Sequence, residues 1–145
     1  MTTGEVVHAA VADTPITPEE AHAGVDSPYC GAVVGFSGVV RDHDGGREVS
    51  SLSYSAHPSA DRVIREVAEE IAARHDGIRI WVAHRVGPLA IGDQALVAVV
   101  GAAHRGEAFR ACSDLVDLVK ERVPIWKEQF FADGSVEWVG AGAEQ

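Results

Sequence analysis

The chain has 145 residues, 46% of them apolar and 23% charged, a globular composition and a length suited to one domain over 1–145. Its formal charge of −10 is spread along the sequence, so nucleic acid and anionic lipid are excluded as default partners. No stretch approaches the roughly 20 apolar residues of a membrane span and the N-terminus carries no basic-then-apolar leader, which points to a cytoplasmic protein.

Residues 5–11 alternate loosely and stop at Asp13-Thr14-Pro15, which predicts a strand. Thr17-Pro18-Glu19-Glu20 then supplies an N-cap, a first-turn proline and two acids for a short helix to about Gly24. The segment CGAVVGFSGVV at 30–40 reads as a glycine-spaced strand. Residues 42–48 are polar, carry Gly45-Gly46 and lack an apolar period, so a mobile loop is expected. A strand over 49–57 leads into a helix over 58–74, where Val63, Ile64, Val67, Ile71 and Ala72 fall at helical spacing.

Strands are expected at 78–87 and 95–104, with a short turn-bounded piece between them. A third helix over 107–122 would present Phe109, Cys112, Leu115, Val116 and Val119 as its apolar stripe and end before Pro124. IWKEQFF and SVEWVG, joined by Ala132-Asp133-Gly134, predict a closing hairpin. Several strands follow one another without a crossover helix. An α+β fold with a mixed or antiparallel sheet and helices on one face is therefore expected.

Ten arginines but only two lysines occur, and those two, Lys120 and Lys127, flank Pro124. Lysine can be tuned into a proton donor, acceptor or nucleophile where arginine cannot. The plain alternative is two surface cations, with Lys120 complementing a helix C-terminus. His104-Arg105 sits where a strand hands over to a helix, a suitable place for an anion; the alternative is a solvated strand end. Arg41 carries the same two readings.

His84 reads as a satisfied structural histidine, and Cys30 and Cys112 as small core thiols. The histidines lack HxxxH or HExxH spacing, the cysteines are not paired as CxxC, and the glycines complete neither a P-loop nor a dinucleotide fingerprint. Neither a metal nor a cofactor is expected.

Taken in order, GAVVGFSGVVRDH (31–43), HRVGPLAIGD (84–93), AHRGEAF (103–109) and LVKERVPIWKEQ (118–129) resemble the large, catalytic subunit of molybdopterin synthase. The last block, K-x-x-x-P-x-W-K, is the most specific. The resemblance implies an α/β hammerhead with an added antiparallel sheet, and a homodimer that binds a small ubiquitin-like sulfur carrier at each end, a heterotetramer. It implies sulfur transfer from the carrier's C-terminal Gly-Gly thiocarboxylate to cyclic pyranopterin monophosphate, giving the dithiolene of molybdopterin.

In that reading Lys120 is the principal acid/base and touches the carrier terminus, while Lys127 holds pterin or phosphate. Arg41, Phe36, His104 and Arg105 bind substrate, the last two partly from across the dimer. The chain departs from common family residues at Ser55, His57 and Gln129, the last standing where an acid is frequent. A module that only binds the carrier's tail, or a sensor of phosphorylated small molecules, would use the same surface without the lysines' chemistry.

Overall fold

The computed structural model describes residues 4–140. One sheet is built from β1 (Glu5–Ala12), β5 (Arg79–Arg85), β7 (Gln94–Ala102) and β2 (Ala32–Val39), in that order across the sheet. β1 runs parallel to β5 and the remaining pairs are antiparallel. The mixed sheet expected from the order of elements is therefore observed. The second sheet is antiparallel and contains β3 (His43–Asp44), β4 (Arg47–Ala56), β8 (Ile125–Phe131) and β9 (Val136–Val139), with β6 (Gly87–Leu89) paired to β4.

The three helices are α1 (Pro18–Val25), α2 (Ala60–Arg74) and α3 (Arg105–Arg122). α1 starts as its sequence predicts, with the Thr17 hydroxyl accepting from the Glu20 amide at 3.1 Å. The helices do not share one face. α2 and α3 cover the side of the first sheet that presents Ile80, Val82, Ala98 and Val100. α1 covers the other side through Ala21 and Val25 against Trp81, Ala83, Val97 and Val99. The reason lies in β7, which is buried at every position from Ala95 to Ala102 and so needs cover on both faces.

Two further expectations change. Phe109 is 60% exposed, because the buried seam of α3 runs through Ala108, Ala111, Cys112, Leu115 and Val119, and Phe109 lies about 100° around the helix from Ala108. Residues 42–48 form a regular hairpin instead of an irregular loop. Gly45 (φ 59°) and Gly46 (φ 77°) both take the left-handed conformation that a tight two-residue turn demands, which lets His43 pair with Glu48 and Asp44 with Arg47. Arg47 then stacks its guanidinium 3.7 Å above the Phe131 ring and ties the hairpin to β8.

Candidate active site

The two sheets meet around a cavity of about 200 Å³. Its walls come from the end of β2 (Gly38 to Arg41), from Leu52 and Tyr54 of β4, from His84 of β5 and from the start of β7 (Ala95, Leu96). The last turn of α3 adds Val119 and Lys120, and β8 adds Ile125, Lys127 and Gln129. Val123 caps α3 and its amide still bonds back to Val119, after which Pro124 turns the chain directly into β8. The eight residues from Lys120 to Lys127 thus make a helix-to-strand corner that delivers both lysines to one cavity.

Alternation along β8 decides which side chains point inward. Ile125, Lys127, Gln129 and Phe131 are buried, while Trp126, Glu128 and Phe130 face outward. Lys127 is only 7% exposed and Gln129 4%, and among the described residues these are the buried polar side chains. The Gln129 amide donates to the Asp44 carboxylate at 2.7 Å, and Asp44 also lies 3.6 Å from the Arg41 guanidinium. The hairpin therefore brings a carboxylate to the place where Gln129 itself offers none.

These contacts set the electrostatics. Burial holds the Lys127 amine below the ordinary lysine range; Asp44 opposes this, while Arg41 and Lys120 add to the depression. The hydrogen bond from Gln129, supported by Lys127 and Arg41, holds the Asp44 carboxyl below its usual range. Tyr54, partly buried against the cavity, has its phenol pushed up to about 12 by desolvation and stays neutral. The site is thus a cluster of three cations, one of them a buried amine, on a chain whose net charge is −10.

Of the residues selected from sequence, Arg41, Lys120 and Lys127 come together here. Phe36 does not line the cavity; its ring is partly buried on the side of β2 that packs against the α2 and α3 core. His104 and Arg105 are exposed at the N-terminal end of α3, fifteen residues and therefore about 22 Å of helix from Lys120. Within one chain they cannot join this cavity. Neither cysteine lines it: Cys112 is buried in the core, where burial pushes its thiol to about 11, and Cys30 is half-buried.

Sequence reasoning does not single out Tyr54 or Asp44, and it reads His84 as structural. The alternation of IWKEQFF does mark Lys127 and Gln129 as inward-facing once the strand is assigned. No comparable local pattern marks the other three, which reach the site through contacts between distant segments. Among the described residues, no group of three or more histidine, cysteine or acidic side chains is placed to hold a metal ion.

Residues 11–122 match the family described as MoaE protein. The chain is 40% identical over 138 residues to molybdopterin synthase catalytic subunit 1 of Mycobacterium tuberculosis, spanning 94% of this chain and 93% of that protein. Identity is also 40% over 136 residues to the molybdopterin synthase catalytic subunit of a Nostoc species, spanning 92% and 82%. The crystal structure of molybdopterin synthase from Staphylococcus aureus superposes with a TM-score of 0.85 at 34% identity, covering 91% of this chain and 96% of that one. A corner that carries two lysines into one cavity, on a fold shared over nearly the whole length, places the chain in the MoaE protein family, with the molybdopterin synthase catalytic subunits.

Proposed function

We propose that this chain transfers sulfur from the C-terminal thiocarboxylate of a small ubiquitin-like carrier to cyclic pyranopterin monophosphate, building the dithiolene of molybdopterin. The observation that carries the reading is the buried amine of Lys127 in a cavity shared with Lys120 and Arg41. A thiocarboxylate and a cyclic phosphate are both anions, and on an acidic chain this local cluster is what would receive them.

The surroundings favour a division of labour between the lysines opposite to the one that the resemblance suggests. Lys127, desolvated and held below the ordinary lysine range, gives up its proton more readily than an exposed lysine, which suits it to proton exchange. Lys120, exposed at the cavity wall, is suited to meet the carrier's anionic terminus. Two sulfurs are delivered in turn, each from a fresh carrier. The sulfur comes from the carrier, in keeping with the absence of a cysteine from the cavity wall. Both cysteines are free thiols, which fits a reducing compartment and so a cytoplasmic reaction.

We place the chain in a homodimer, a heterotetramer with two carriers. The distance of His104 and Arg105 from Lys120 supports their serving the partner protomer's cavity, where they would bind phosphate. The apolar strand β7 is covered within the chain and offers no surface for dimerisation. β9 remains, with Trp138 66% exposed and Val136 exposed beside it. Mixing an Arg105→Ala protomer with a Lys120→Ala protomer should restore activity that neither has alone, by re-forming one intact cavity per mixed dimer.

The direct test is molybdopterin formation from purified thiocarboxylated carrier and pterin precursor. Product that requires both is expected. Carrier binding without product would indicate a module that only holds the tail, and pterin phosphate binding indifferent to the carrier would indicate a sensor.

A further inference from the structure

His84 lines the cavity, yet the reading above gives it no task. Its bonding is well defined. Nδ1 lies 2.8 Å from the carbonyl oxygen of Arg85, and a carbonyl only accepts, so Nδ1 carries the proton and donates. The neutral ring then keeps its lone pair on Nε2. Nε2 has no protein hydrogen-bond partner among the described residues, and it is not one of the polar atoms sealed from solvent, so it opens onto the cavity.

Two neighbours fix this arrangement. Tyr54 packs edge-on against the ring, centroids 4.8 Å apart and planes at 79°, which restrains its rotation. Burial pulls the imidazole down to about 4, the bond to Arg85 works against that pull, and the Lys120 cation adds to it. An imidazole that stays neutral and cannot turn is a poor proton shuttle and a good fixed acceptor.

The cation that the ring senses, Lys120, projects from the last turn of α3 on four methylenes and has no ion pair within 4 Å among the described residues. Such a side chain samples many rotamers, and an acceptor in the cavity selects those that point inward. We propose that His84 is a positioning residue for Lys120: held as the Nδ1–H tautomer, it offers the Nε2 lone pair to the Lys120 amine and keeps that amine turned into the cavity. This rests on the sulfur-transfer reading for its consequence, though not for its geometry.

Two substitutions separate the ring's two nitrogens. His84→Asn keeps a donor near the Nδ1 place, facing the Arg85 carbonyl, and leaves nothing at Nε2. His84→Gln places a carbonyl oxygen near Nε2 and abandons Arg85. With thiocarboxylated carrier and precursor, His84→Asn should lose about tenfold or more in kcat with KM for the carrier little changed, while His84→Gln stays within about threefold of the parent. The reverse order would overturn the proposal and make the ring a brace for the Arg85 carbonyl.

Independently of turnover, ¹⁵N spectra of histidine-labelled protein should give His84 a protonated Nδ1 and an imine-like Nε2 at neutral pH. The Nε2 signal should move in Lys120→Met. An Nε2 resonance unmoved by that substitution would also overturn the proposal. If the parent protein makes no product while the Nε2 signal responds to Lys120→Met, the contact stands and the sulfur-transfer reading fails.

Discussion

β7 and β8 are central strands of their two sheets, and they use burial in opposite ways. β7 buries every residue from Ala95 to Ala102, all apolar or glycine, between α1 on one side and α2 with α3 on the other. β8 buries alternate residues, and two of its four inward positions are Lys127 and Gln129. Burying an amine without a close carboxylate partner disfavours its charged form and costs folding free energy. The first sheet is where this chain gains stability, and the second is where it gives some up to hold a reactive group.

The largest effect that could break this contrast is expected at Lys127. Lys127→Met should cut product formation by on the order of 10²-fold or more while leaving the denaturation midpoint unchanged or raised, as steady-state assays and guanidinium titrations would register. Lys120→Arg, which keeps the charge, should cost only about tenfold and spare carrier binding. Equal losses in the two variants would erase the distinction between a proton-exchanging and an anion-holding lysine.

The reciprocal case is Leu115→Ala, beneath the first sheet. It should cost about 2–5 kcal/mol of stability, measured by the same titrations, with normal activity per folded molecule. Should it abolish catalysis without lowering stability, the assignment of the two sheets would be wrong.

His84 adds a pH dependence to the second region. Its folded value, about 4, lies below the ordinary value of 6.5, so the folded state favours the neutral ring. The contribution is complete above about pH 6.5 and is lost as pH falls towards 4, amounting to about 3 kcal/mol at most. Unfolding titrations between pH 7 and 4 should show His84→Asn losing less stability over that range than the parent. The smallest effect is expected at the hairpin, where Gly46→Ala should cost roughly 1 kcal/mol through its positive φ alone, visible as a small shift in midpoint.

The sequence discloses the parts of this contrast that repeat at short range. Helical spacing locates α2 and the buried seam of α3, period-two alternation turns Lys127 and Gln129 inward, and Pro124 fixes the corner between the lysines. The unbroken apolar run of β7 implies cover on both faces, a stronger signal than the order of elements that suggested helices on one. The remainder is non-local. His84 meets Tyr54 across thirty residues, and Asp44 meets Gln129 across eighty-five. Nothing within a window of either residue records that meeting. β3 has no period of its own because two residues are too few to show one, and only Gly45-Gly46 marks the turn that makes it.

That hairpin restricts how the gene can vary in length. β3 has two residues and its turn has two more, so the ladder carries no slack. Side chains alternate faces along a strand, so inserting or deleting one codon between Val40 and Arg47 would swing Asp44 to the opposite side of the sheet and detach it from Gln129 and Arg41. Changes of two residues would restore the facing. Insertions and deletions compatible with this site should therefore come in even numbers, a parity rule that homologous genes carrying the Asp44 and Gln129 pair can be searched for directly.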